Sequence, residues 1–131
     1  MAINYLFDTN TVIDFLAGNF PESATIWAEN AVENNEVAVS IINKIEVLGF
    51  NASATEMVLL TEFIDAVVVL ALSDDIANKT IEIRKLRKIK LPDAVIASTA
   101  LIHDLTLVSR NDGDCKTITV DFPFFSRMLN R

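Results

Sequence analysis

Short apolar runs alternate along this chain with longer stretches of helical period, and that alternation leaves few folds open. The runs are Ile3–Phe7, Glu36–Ser40, Ala66–Leu70 and Leu105–Ser109, with a weaker one at Thr117–Val120. Runs this short, rich in Val, Ile, Leu and Phe, read as strands buried in a parallel sheet. Between them, Ala24, Trp27, Ala28, Ala31 and Val32 recur at helical spacing after Pro21, and Asn34–Asn35 ends that helix. Met57, Leu60 and Ile64 form the inner face of a helix over Thr55–Asp65. Ser40 and Ser73 stand where helix N-caps belong, and Thr9 or Asn10 is expected to cap the helix over Thr11–Leu16. Leu91–Leu101 is apolar nearly all round, which predicts a helix buried on most sides. The whole pattern calls for an α/β fold, a three-layer α/β/α sandwich around a mainly parallel sheet with right-handed crossovers.

At 131 residues the chain is expected to form a single domain over residues 1–131. Apolar residues make up 51 % of it, yet no apolar run approaches the roughly 18 to 20 residues of a membrane span. The N-terminus shows no signal-peptide pattern, and Cys115 is the sole cysteine. A reducing, cytoplasmic setting without membrane attachment is the expectation.

The net charge of −7 conceals a split. Residues 1–78 hold twelve acids and one base, Lys44, whereas residues 79–131 hold six acids and ten bases. A polyanion would be repelled by the first part and drawn to the second. Five of those bases, Arg84, Lys85, Arg87, Lys88 and Lys90, fall within seven residues. Cations at a helix C-terminus are ordinary dipole chemistry, and the run serves equally as a solvated helix end or as a phosphate track. Asp74 and Asp75 fall in a helix first turn and read as structural.

The chemistry lies with the remaining acids. Asp8 follows the first strand directly, at the edge where α/β sheets gather ligands, although a plain cap or turn residue would look the same. Glu46 shares a helix stripe with Ile42, Ile45 and Gly49, where an unpaired charge costs several kcal/mol. It is therefore expected either to swing out to water or to meet a cation. Asp93 stands in the first turn of the buried helix and Asp114 in a polar loop after the fourth strand. Four carboxylates brought together need a cation, and an all-oxygen set without a His/Cys cluster selects Mg²⁺ or Mn²⁺. Such an ion activates water and steadies displacement at a phosphodiester. His103 and Cys115 have no partners suggesting zinc or thiol chemistry, and three glycines supply no phosphate loop.

Four segments carry a resemblance to a known family: Leu6–Asn10, Ile45–Val47, Leu91–Ala97 and Val108–Asp114. In this order and spacing they resemble PIN-domain ribonucleases, specifically the VapC toxins of type II toxin–antitoxin modules. The resemblance implies a five-stranded sheet with the first strand central. It implies metal-dependent cleavage of RNA by an acidic cluster of Asp8, Glu46, Asp93 and Asp114. It further implies supporting roles for Asn10, Ser109 and Asn111, with Ser109 where the family usually has Thr and Asn111 an alternative fourth ligand. Cys115 departs from a usual Phe. RNA is expected along Arg84, Lys85, Arg87, Lys88 and Lys90, with Arg110 at the mouth of the site. The implied partners are a VapB-like antitoxin and a second copy in a homodimer. Two rival readings are a Mg²⁺-dependent phosphatase and a catalytically silent PIN-like binding module. The phosphatase needs a second Asp where this chain has Asn10.

Overall fold

The computed structural model describes residues 2–110 and 117–120. Its elements run β1 (Tyr5–Phe7), α1 (Thr9–Leu16), α2 (Glu22–Glu33), β2 (Val37–Ser40), α3 (Ile41–Leu48) and α4 (Ala54–Ala66). They continue with β3 (Val68–Leu70), α5 (Asp74–Leu86), α6 (Leu91–Ile102), β4 (Thr106–Arg110) and β5 (Thr117–Val120). The sheet has five strands in the order β3-β2-β1-β4-β5, so β1 is central as expected. β1 pairs in parallel with β2 and β4, β2 pairs in parallel with β3, and β5 closes the far edge antiparallel to β4.

Successive strand residues face opposite sides of a sheet, and the short runs exploit this fully. Leu6, Ala38 and Leu107 turn to one face, where they pack with Ile83 of α5 and with Ala94, Ile96, Ala97 and Ala100 of α6. Phe7, Val37, Val39 and Val108 turn to the other, against Val12 of α1, Ala28 and Ala31 of α2, Val47 of α3 and Leu60, Phe63 and Ile64 of α4. Both faces are apolar, which is why the strands read as unbroken apolar runs. α6 is buried from Ala94 to Ala100, matching its all-round apolar sequence. Rings run through the second core in series: Tyr5 against Trp27, Trp27 against Phe7, Phe7 against Phe63, Phe63 against Phe15 and Phe15 against Phe20.

Local signals set the helix starts. Ser40 caps α3 in a reciprocal box with Asn43, and Ser53 does the same for α4 with Glu56. Ser73 caps α5. Asn35 and Asp104 take the left-handed turns after α2 and α6, with φ of 59° and 55°, as short polar residues can.

Three expectations are corrected. The cap of α1 is Asp8, and Thr9 and Asn10 lie inside the helix. The Ala66–Leu70 run is an edge strand, so Val68 is 43 % exposed instead of buried. On α3, the face turned inward carries Asn43 and Val47, while Ile45 and Glu46 are exposed. Glu46 reaches water, one of the two outcomes expected for it, so the cost of a buried unpaired charge does not arise. No helix among the described residues is long and apolar enough to cross a membrane.

Candidate active site

From β1 the chain moves outward through β2 to β3, then returns to lay β4 on the other side of β1. The strand order thus reverses between β1 and β4, and the crevice beyond their carboxyl ends is where open α/β sheets hold ligands. Asp8 follows β1 directly and sits at that crevice, tied to β4 by its N–H donating to the Val108 carbonyl at 3.2 Å. The buried Thr11 hydroxyl donates to the same carbonyl at 2.9 Å.

An open cleft of about 660 Å³, counting the solvent at its mouth, lies here and is lined by Asp8, Thr9, Asn10, Ile13, Glu46, Phe50, Asp93 and Ile96. Three expected acids from three elements therefore meet in one cleft: Asp8 at the head of α1, Glu46 on α3 and Asp93 in the first turn of α6. Burial is the largest influence on the Asp8 carboxyl and pushes its pKa above the ordinary value. The neighbouring Thr11, whose N–H donates to Asp8 Oδ1 at 2.8 Å, draws it back, and the charges of Asp93 and Asp14 push it up again. Asp8 thus caps α1 and also lines the cleft.

Glu46 is held by Thr9, which its sequence position suggested only as a helix cap, and behind it by Asn43, which carried no expectation. The Thr9 hydroxyl donates to Glu46 Oε1 at 2.5 Å, the length of a charge-assisted bond. Behind it, the fully buried Asn43 donates from Nδ2 to Thr9 Oγ1 at 3.1 Å and accepts from the Ser40 N–H at 2.8 Å. A relay from β2 through Asn43 and Thr9 to Glu46 fixes α3 against α1. The clue was local, because a lone Asn inside an apolar helix, three residues from both its cap and Glu46, is costly to bury without such bonds.

Other expected residues spread around this centre. Asn10 is exposed on the cleft wall. Ser109 is half-buried on β4 and is not part of the cleft lining among the described residues. Arg84, Lys85, Lys88 and Lys90 are exposed at the end of α5 and in the link leading to Asp93, with Arg84 Nε donating to the Ile89 carbonyl at 3.3 Å. Arg87 is half-buried. Asn111, Asp112, Asp114, Cys115 and the segment from Phe122 to Leu129 lie outside the described residues, as does the side chain of Arg110.

Among the described residues, no three of His, Cys, Asp and Glu form a group that could hold a metal ion. The donors that meet here are nonetheless hard oxygens in a solvent-open cleft, with Asp8 under repulsion from Asp93. That set fits Mg²⁺, which takes one or two carboxylates and keeps several of its waters.

The fold and the strand-edge acids define a class. The PIN domain family model matches residues 5–120, and the chain belongs to that family. Among solved structures it is similar to a toxin–antitoxin complex from Klebsiella pneumoniae, at 32 % identity over 85 % of this chain and 89 % of that one, with a TM-score of 0.66. It is also similar to VapBC2 from Rickettsia felis bound to a DNA fragment from their promoter, at 24 % identity over 85 % and 88 %, TM-score 0.67. FitAcB from Neisseria gonorrhoeae is alike at 24 % identity over 83 % and 88 %, TM-score 0.64. The last two likenesses speak for the fold alone. A search of curated proteins finds no match.

Proposed function

We propose that this chain is a metal-dependent endoribonuclease and the toxin of a toxin–antitoxin pair, acting as one PIN domain. The observation that carries the proposal is the meeting of Asp8, Glu46 and Asp93, from three separate elements, in one open cleft at the sheet's switch point. Asp8 and Asp93 are the residues to hold Mg²⁺ or Mn²⁺, with Glu46 and Asp114 completing the acidic set and Asn111 the alternative to Asp114. Bound there, the ion supplies a polarised phosphodiester and a water of lowered pKa.

The chain's own groups do the rest. The Thr11 N–H fixes one oxygen of Asp8. Thr9 fixes Glu46 Oε1, which leaves Oε2 to take a proton from a water. Asn10 lines the wall with an amide that transfers no proton, so the phosphatase reading lacks its acid. Arg84, Lys85, Arg87, Lys88 and Lys90 carry the phosphate backbone toward Asp93, with Arg110 at the mouth. Such contacts set affinity without reading sequence.

The toxin role rests on the likeness to the Klebsiella pneumoniae toxin–antitoxin complex. A VapB-like antitoxin would find apolar side chains in Ile45, Val58 and Leu59 of α3 and α4, which are 62 %, 56 % and 45 % exposed. A homodimer in the cytoplasm completes the proposal. The test is incubation of end-labelled RNA with purified protein in Mn²⁺ and in EDTA, beside Asp93→Asn. Cleavage by the wild type in Mn²⁺ alone is expected, with induction of the wild type but not of the variant arresting growth. Equal cleavage by Asp93→Asn refutes the role given to that residue.

A further inference from the structure

Six of the seven aromatic side chains among the described residues belong to the ring series in the second core. The seventh, Phe50, joins no ring contact with the others, is 43 % exposed, and lines the acidic cleft. This large apolar ring belongs to neither core cluster and stands instead beside three carboxylates, where it can offer a metal ion no ligand atom. Its position is built by the backbone. At the end of α3, Gly49 donates to the Ile45 carbonyl at 2.9 Å and Phe50 donates to the Val47 carbonyl at 3.2 Å. A Cβ at Gly49 would stand 2.8 Å from the Ile45 carbonyl oxygen, so a side chain there would open this turn. The glycine lets the helix close tightly and sets Phe50 at the cleft wall, four positions after Glu46. Ile13 and Ile96 add apolar surface to the same wall.

We propose that Phe50 is a stacking platform for a single-stranded nucleobase next to the scissile phosphate. The proposal rests on the nuclease reading above and adds what that reading lacks, a contact to a base. A phosphodiester drawn to the carboxylates brings its flanking bases with it, and an aromatic face binds any of them, because every base has a π-face. Single-stranded RNA is the ligand class, since a base paired inside a helix has no free face to offer. The platform holds the strand in place while leaving sequence choice broad.

The experiment uses a labelled single-stranded RNA that the wild type cuts at one site. Binding is read by fluorescence anisotropy on an Asp93→Asn background, with and without Phe50→Ala or Phe50→Trp. Phe50→Ala is expected to weaken binding by about 5- to 150-fold, and Phe50→Trp to restore it. Abasic nucleotides placed in turn on either side of the cut site supply the second arm. At one position the abasic RNA should bind the Phe50-containing protein as weakly as intact RNA binds Phe50→Ala, and Phe50→Ala should cause no further loss. Circular dichroism melts show whether the variants are folded, and Phe50→Trp carries the test should Phe50→Ala unfold. Unchanged affinity in Phe50→Ala, or an equal loss on every abasic RNA, overturns the platform and leaves the ring to a protein contact. If the wild type binds and cuts no single-stranded RNA, the nuclease reading falls together with this one, and that result is distinguishable from the loss of the platform alone.

Discussion

Asp8 serves two ends that separate cleanly under mutation. Its carboxylate caps α1 through the Thr11 N–H, and the same group is pushed toward its neutral form by burial and by Asp93 and Asp14. Asp8→Asn keeps a capping oxygen of the same size and removes the charge. Asp8→Ala removes both. Losing the cap costs about 1 kcal/mol, which lowers Tm by about 3–5 °C for a domain of this size. A charged cap at a helix N-terminus contributes about 0.3–1 kcal/mol, but burial and repulsion outweigh it here, since the net shift is upward. In EDTA at pH 7, Asp8→Asn is therefore expected to melt at or above the wild type, and above Asp8→Ala, which lacks the cap. Addition of Mn²⁺ reverses the order. An ion that binds only the folded state adds about 2.7 kcal/mol at a hundredfold excess over Kd, and only the wild type should gain it. Differential scanning fluorimetry of the three proteins, with EDTA and then with Mn²⁺, reads both effects. Asp8→Asn melting well below the wild type in EDTA would show that its charge is not disfavoured. An equal gain from Mn²⁺ in all three would place the ion elsewhere, with the other acids of the first 78 residues the obvious location.

The pH dependence follows from the same carboxyl. A raised folded pKa means that the native state holds the Asp8 proton more tightly than the unfolded state, whose value is about 3.9, so stability falls as pH rises between the two. In metal-free urea titrations, the advantage of Asp8→Asn over the wild type should be smallest below about pH 3.9 and should grow with pH to a plateau; a flat difference from pH 3 to 7 refutes this. Thr9→Val leaves the buried Asn43 Nδ2 without its acceptor and releases Glu46, so it should cost about 1–3 kcal/mol of stability and weaken Mn²⁺ binding. Thr9→Ser should restore both, and calorimetric Mn²⁺ titration beside urea unfolding measures them. On the basic run, Lys85 and Lys88 are exposed, so their joint replacement by Ala is the clean perturbation. On an Asp93→Asn background, the slope of log K against log salt should become shallower by up to about 1.4. No change in slope would show that the run is a solvated helix end.

Some of this protein could be read from residues in order, because the physics involved is local. Leu6 and Phe7, or Ala38 and Val39, are neighbours in sequence that must face opposite ways in a strand, so an unbroken apolar run already implies a sheet covered on both sides. Ser40 and Ser73 cap their helices using donors two or three residues on, and the all-round apolar α6 could only be buried. Asp8 at the end of a strand was legible for the same reason, and so was the family that four motifs in order suggest. The roll of α3 was not legible. Ile42, Ile45 and Glu46 share a stripe that looks like an inner face, yet bonds from Asn43 to Thr9 and Ser40, one of them crossing 34 residues of chain, turn Asn43 and Val47 inward. The exposure of Val68 depends on strand order, because whether a β-branched run is central or at an edge is decided by which strands flank it. The separation of Phe50 from the other six aromatics had no local mark either. An aromatic residue looks alike in sequence whether it enters a core or lines a cleft, and the packing of α3 against α1 and the sheet is what divides them.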